Sequence, residues 1–488
     1  MTRLTKPRTI VTTDGEIDDM NSFIRFLLYT NDLDVAGLIL TSSKFHYSGT
    51  ATKPAYRWTG TTWIPEMIDR YAQVYLNLIK HDPDYPSPDH LHSLYHIGNI
   101  TDEGEMTEET AGSNHMVSVL LDDDPRPVLI QTWGGTNTTA RALKTIQDRY
   151  EGTDDWQTIK QKVEAKIVLY IILNQDDTYD DYIKTNWDLT VINDYTNFGF
   201  FAYVWHYLPE KTQQVFKPDW FLTHLKNKGP LLDKYALIGD GHYLEGEPDQ
   251  YQFGTQDYLD QHPEVAPFSF ISEGDSPSYF YLLAQGLRGF EHPTYGGWGG
   301  RFDSLFGKTY GNKSADYNPE TGRFETEYSI ARWIPDIQAD FAARANWCVA
   351  DHFDKAVHYP EFTEQSRDIS VQAGQTITLS DPASDPNGFP LAYKWSCYYE
   401  ASSYWDLSQV PLQMVMGKLG DMEIPIAQHS EPMLLEAEFP MAGSDSSEVT
   451  FTIPADAQLG DTFHLLLEVA NQAETPLKSY QRYILTVA

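Results

Sequence analysis

Arg8-Thr9-Ile10-Val11-Thr12-Thr13-Asp14-Gly15-Glu16-Ile17-Asp18-Asp19 decides the reading of the whole chain. Its first six residues are expected to form a short strand running into an acidic turn. Residues 19–30 then place Met20, Phe23, Ile24, Leu27 and Leu28 at helical spacing. Residues 35–40 read as a second apolar strand, completing a strand–helix–strand unit. The unit recurs further along. Residues 127–132 form a strand, followed by a loop at 133–137 and a helix through Ala140, Leu143 and Ile146. Residues 166–173 and 190–192 supply two more strands with a helical stretch between them. Alternation of this kind predicts an α/β fold, a mostly parallel open sheet with helices on both faces. In such sheets ligands bind beyond the carboxyl ends of the strands.

The texture changes near residue 360. Short strands at 369–371, 376–379, 391–399, 449–453 and 463–469 are separated by turn-rich stretches such as 381–388. This pattern predicts an antiparallel all-β sandwich. The expected division is residues 1–358 for the α/β domain and 359–488 for the sandwich.

Composition narrows the function. Lys and Arg number 35 against 70 Asp and Glu, a net charge of −35 over 488 residues. Such a field repels nucleic acid and anionic membranes, whose binding rests on basic side chains. Neutral sugars and cations suit it. No apolar run approaches the ~20 residues of a membrane span. The amino terminus has no apolar stretch of the signal-peptide kind. As written, the chain is expected to be cytoplasmic, or secreted or periplasmic if a leader has been trimmed; a homo-oligomer is left open. Cys348 and Cys397 are either a pair or two quiet core thiols, and the thiol reading is preferred.

Four carboxylates within Asp14–Asp19 stand at the end of a strand and the start of a helix. Like charges this close repel unless a cation sits among them, and a hard divalent ion takes oxygen ligands. Alternatively, Asp18 and Asp19 favour the positive end of the helix dipole. Residues alone leave both readings open.

Asp14-x-x-x-Asp18-Asp19 resembles the aspartate cluster of the calcium-dependent nucleoside hydrolases. Trp133-Gly134-Gly135-Thr136-Asn137 is similar to that family's Gly-Pro-Leu-Thr-Asn segment. A closer resemblance is to the nucleoside-hydrolase-like family known as cellulose-binding. It is carried by Thr41-Ser42-Ser43-x-Phe45-His46, Asn174-Gln175-Asp176-Asp177, Ser272-Glu273-Gly274-Asp275-Ser276 and Gly296-Gly297-Trp298-Gly299-Gly300-Arg301. The likeness spans about residues 8–355, and the tail resembles that family's immunoglobulin-like domain.

The resemblance implies a Ca2+ site of Asp14, Asp19, the Thr136 carbonyl and Asp275. It implies that Asp14 is also the general base, that Asp18 holds sugar hydroxyls, and that Asn186 contacts the sugar. The implied activity is hydrolysis of a furanoside-type glycosidic bond, O- or N-linked; the rival is a carbohydrate-binding protein without turnover. Thr12 and Glu16 replace the family's first aspartate and its glycine. Gly274 stands where purine-accepting relatives carry a leaving-group histidine. Glu273 is therefore the first candidate for the proton-donating acid and His46 the second.

Position after a strand also nominates His46, Gln175, Asp176 and Asp177 as sugar contacts, although such runs equally make loops and helix caps. Trp298 and Arg301 offer an apolar face and a fork of donors, or a turn that buries the indole. Trp58, Trp63 and Trp133 are further possible platforms, but most of the 12 Trp must be ordinary packing. In the tail, 381–387 reads as turn chemistry rather than a second calcium loop. Trp395 reads as an inter-sheet core residue.

Overall fold

The computed structural model describes residues 6–242, 252–283, 285–313, 315–363, 368–405, 407, 415–419, 422–426, 430–431 and 439–488, the stretches 415–419 and 422–426 by backbone alone. The amino-terminal part is built on one eight-stranded sheet. Its strands are β1 (Arg8–Thr13), β2 (Asp34–Leu40), β3 (Tyr95–Ile97), β4 (Val128–Thr132), β5 (Ile167–Ile172), β6 (Thr190–Asp194), β7 (Asp303–Phe306) and β8 (Thr309–Gly311). They lie in the order β3-β2-β1-β4-β5-β6-β8-β7, all parallel except the edge strand β7. The chain builds outward from β1 in one direction and then from β4 in the other. The switch point therefore falls between β1 and β4, where an open α/β sheet leaves a crevice.

Alternation along each strand feeds two cores. Val11, Leu38, Leu40, Leu129 and Ile192 pack on one face. Ile10, Ile39, Ile130, Leu169 and Val191 pack on the other. The second face is covered by α4 (Ala111–Leu121), α5 (Asn137–Tyr150) and α6 (Trp156–Lys166), reached in chain order after α1 (Ile17–Leu27), α2 (Trp63–His81) and α3 (Pro88–Leu94). The first face takes α1, α2 and the helix Ile334–Trp347. On α1, Met20, Phe23, Ile24 and Leu27 form the predicted buried stripe. No helix among the described residues is long and apolar enough to cross a membrane.

The carboxyl-terminal part is strand-rich. Asp368–Val371, Lys478–Val487, Thr462–Asn471 and Leu391–Cys397 make one four-stranded sheet in that order. Thr376–Ser380, Glu448–Thr452 and Met441–Ala442 make a three-stranded one. Trp395, Phe451, Phe463, Leu465 and Leu485, drawn from both sheets, share a single core, so Trp395 is the core residue expected of it. Cys348 and Cys397 are buried and free.

The two parts are packed together. Arg482, fully buried, donates to the carbonyls of Tyr295 (2.7 Å) and Gly296 (2.9 Å). Tyr480 Oη donates to Asp336 (2.6 Å). This junction corrects two of the nominated sugar contacts. Trp298 is buried, edge-on to Tyr480 at 6.5 Å between ring centroids. Arg301 spends its guanidinium on Asp316 (2.9 Å), Asp303 (3.2 Å) and the Ala315 carbonyl (3.1 Å). Trp298 packs at the junction, Arg301 ties together segments of the amino-terminal part, and both are buried away from a ligand.

Candidate functional site

The acidic turn lies at the carboxyl end of β1, at the switch point. Gly15 makes the turn: its φ of +83° is left-handed, and a Cβ there would lie 2.7 Å from Thr59 Oγ1 and Trp63 Nε1. Asp19 points back toward the strand end, accepting a hydrogen bond from Thr13 Oγ1 and one from the Asp14 amide (3.2 Å). Asp275 arrives from the other side of the crevice, at the start of the helical turn Ser276–Phe280.

Asp18, Asp19 and Asp275 present carboxylate oxygens within 4.8 Å of one another. Asp14 lies beside them, and Asp14, Asp19 and Asp275 are each at most 2% exposed. Among the described residues, neither carboxylate oxygen of Asp14 accepts a hydrogen bond, nor does Asp275 Oδ2. Buried acceptors without donors are costly. Their chemistry calls for a positive charge. Burial, then Glu16 and Asp14, pushes the Asp18 carboxyl up to about 8. Asp19 is held well above its ordinary value by burial, then by Asp275, Asp14 and Asp18. Asp275 is raised likewise by burial, Asp18 and Asp14. Four mutually repelling carboxylates with orphaned oxygens fit a hard divalent cation.

Compared with the expected ligand set, Asp18 has moved in among the clustered oxygens. The Thr136 carbonyl stands at the start of α5 and already accepts from the Ala140 amide (2.8 Å). The neighbouring Gly134 is pressed against Asp14, where an added Cβ would lie 2.9 Å from the Asp14 Cβ.

His46 is fully buried after β2, with Nδ1 at 3.8 Å from Asp14 Oδ2 and 3.7 Å from Glu16 Oε2. It stands beside the acidic turn, closed from solvent. Glu273 does not stand there. Its carboxylate is buried in the opposite direction, against Arg25 (3.1 Å), Ser276 Oγ (2.9 Å) and Tyr235 Oη. A carboxylate that neutralises a buried guanidinium is a structural ion, so the acid role nominated for Glu273 is corrected.

Three more nominations change meaning. Asp176 accepts from the Asn137 amide (3.0 Å), the Thr178 amide (2.9 Å) and the hydroxyls of Thr136 (3.0 Å) and Thr178 (2.6 Å). It caps α5 from a neighbouring loop and is buried, so its carboxylate serves the helix rather than a sugar. Gln175 is tied down by donation to the Trp133 carbonyl (2.7 Å), and Asp177 faces solvent. Asn186 ends a helical turn that leads back to the amino end of β6, the far edge of the sheet from the site. Its amide donates to the Tyr182 carbonyl (2.7 Å). The helical segment was legible, but its direction of travel carried Asn186 away.

Other residues enter the site unannounced. Glu16, passed over as a departure from the family pattern, pairs with Arg57 at 3.3 Å and faces His46. Asp194 ends β6 and accepts from Tyr170 Oη (2.8 Å) and the Thr196 and Asn197 amides (3.1 and 2.8 Å). Burial pushes its carboxyl up to about 6. The turn it anchors carries Phe198 and Ala202 to Gly274, where a side chain would meet Asp18 Oδ2 at 2.8 Å. The sequence reading ended that strand at residue 192; in the structure it runs on to Asp194.

Residues 8–302 match the family described as cellulose-binding Sde182, nucleoside hydrolase-like domain. Residues 376–487 match the C-terminal domain of the cellulose-binding protein Sde0182. Among solved structures, a nucleoside hydrolase-related hypothetical protein from Saccharophagus degradans, associated with carbohydrate metabolism, aligns at 24% identity. It covers 99% of this chain and 100% of its own, with a TM-score of 0.72, which shows the fold. The effector protein XOO4466 aligns at 12% identity over 71% of this chain and 95% of its own, with a TM-score of 0.36. No curated protein matches the chain.

Proposed function

The chain belongs to the cellulose-binding Sde182, nucleoside hydrolase-like family, and from that premise we propose a calcium-dependent hydrolase of a furanoside-type glycosidic bond, O- or N-linked. The pocket lies in residues 1–358, with 359–488 as an immunoglobulin-like sandwich packed against them. The observation that carries the reading is the buried carboxylate cluster at the switch point, with its orphaned oxygens on Asp14 and Asp275.

Asp18, Asp19 and Asp275 would hold the ion, with Asp14 and the Thr136 carbonyl completing the family's set. When bound, calcium supplies the positive charge that orients a water and the sugar's vicinal hydroxyls. Asp14, its oxygens free of donors, accepts the water's proton. Asp18, partly exposed, accepts a hydrogen bond from a sugar hydroxyl. His46 is the remaining proton donor of those nominated, since Glu273 is spent on Arg25.

That last point favours a second reading, a carbohydrate-binding protein that keeps the pocket without turnover. Calorimetry with Ca2+, alongside hydrolysis of nitrophenyl furanosides, inosine and uridine, tests both. Calcium-dependent hydrolysis lost in Asp14→Asn supports the first reading. Sugar binding without hydrolysis replaces it with the second, and hydrolysis indifferent to EDTA overturns the calcium role.

A further inference from the structure

We propose that a cavity between α1 and α2 is a second binding site, separate from the carboxylate cluster. Its ligand is a small aromatic acid, with the ring inside the cavity and the carboxylate on Lys234 and His242.

Ile17, Met20 and Asn21 line the cavity at helical spacing, from one face of α1. Asp19, two residues beyond Ile17, lies about 200° round the helix. It turns to Thr13 and the Asp14 amide, so α1 stands between the cavity and the cation ligands. Trp63 and Met67 of α2, with Phe253 and Ile271, supply the rest of the apolar lining. The space is about 230 Å³. Sites for drug-sized ligands run to ~300–1,000 Å³, so one or two flat rings fill this one.

Hydrogen bonds fix the frame. Asn21 Nδ2 donates to the carbonyls of Ala236 and Ser272 (3.1 Å each), and its Oδ1 accepts from the Ala236 amide (2.8 Å). The Gly239 and Gly241 amides donate to the carbonyls of Phe253 and Gly254 (2.8 Å each). Asp240 accepts from the Leu237 amide and from His242 Nδ1, both at 2.7 Å. That pairing sets the imidazole's orientation and leaves Nε2 for a ligand.

The lining holds donors with nothing to donate to. Trp63 is 5% exposed and its Nε1 has no acceptor among the described residues; a buried donor left so is costly. Half-buried Lys234 pairs with no carboxylate among the described residues. The hydroxyls are spent: Thr59 donates to the Gly15 carbonyl (2.9 Å) and Thr62 to Glu66 (3.1 Å), the lining's one carboxylate, at the exposed rim. A flat ligand bringing acceptors and one negative charge answers this set. The chain's −35 does not forbid it, because charges beyond ~8 Å are largely screened at physiological ionic strength.

Calorimetry and ligand-observed NMR on the full chain, with benzoate, acetate and benzylamine as probes, test the site. Benzoate should bind with a Kd of about 1 mM or tighter, and acetate and benzylamine at least tenfold more weakly. Lys234→Gln should weaken benzoate fivefold or more, and Met67→Trp, which fills the cavity, should abolish binding. Lys211→Gln, at a side chain 88% exposed elsewhere, should change nothing. Circular dichroism confirms that each variant is folded. A parent that does not bind benzoate overturns the site. Acetate or benzylamine matching benzoate overturns it too, as does parent-like binding by Lys234→Gln, whether or not Met67→Trp folds. The titrations are made without calcium, so their failure leaves the cation reading standing.

Discussion

Asp18→Asn should make the cation-free protein more stable and, in the same step, less responsive to calcium. Asp18 is one of three carboxylates with oxygens within 4.8 Å of one another. At an effective dielectric of ~20, two unit charges at that distance repel by about 3.5 kcal/mol. Protonation gives a second route to the magnitude. The Asp18 carboxyl rises from 3.8 to about 8, by burial first and then by Glu16 and Asp14. A carboxyl raised in the folded state favours folding below pH 3.8, and that advantage is lost as the pH climbs toward 8. Integrated to pH 7, the loss is about 4 kcal/mol. For a domain of ~350 residues, with an unfolding entropy of about 2.1 cal/mol/K per residue, this corresponds to a rise of roughly 5 °C in Tm. Scanning calorimetry at pH 7, in EDTA and again in millimolar calcium chloride, reads both effects. The variant should melt above the parent in EDTA, and calcium should close or reverse the gap. A variant less stable than the parent in EDTA, or one with the parent's full calcium response, refutes the reasoning.

Asp14→Asn should leave sugar binding nearly unchanged while lowering turnover by ~10²–10⁴, measured as kcat on the best furanoside found. Like Asp18→Asn, it should raise Tm in EDTA, since it removes a buried charge from the same cluster. Glu273→Gln strands the buried Arg25 guanidinium and should cost about 3–5 kcal/mol in urea unfolding; the pH profile of the remaining activity should keep its shape. The packed junction between the two parts should weaken in acid. Burial lowers His358 from 6.5 to about 4, and burial followed by Arg482 lowers His464 to about 2. A histidine depressed in the folded state stabilises above pH 6.5 and loses that contribution as the pH falls, so stability should decline from pH 6.5 toward 4, and His464→Gln should flatten the decline.

What the sequence disclosed about this site followed from distance along the chain. Asp14, Asp18 and Asp19 lie on one turn, so their mutual repulsion is written in six residues, and the apolar strand before them fixes which end of the sheet they occupy. Asp275 was recoverable because it too stands just beyond an apolar segment. Glu273, one residue from Gly274, was misjudged because its partner Arg25 is 248 residues away, and nothing local distinguishes a carboxylate facing a pocket from one facing a guanidinium. Asp176 shows the same ambiguity between neighbouring elements: a carboxylate after a strand can serve a ligand or a helix, and the amide of Asn137 took this one. Trp298 and Arg301 were misread for a third reason. Their glycine-rich setting signals close backbone approach, but what approaches is the chain's own carboxyl-terminal half, through Tyr480 and Arg482. The mutual repulsion of Asp14, Asp18 and Asp19 is local, so it is written in the sequence. The direction in which a single carboxylate faces depends on packing, and only the folded chain supplies it.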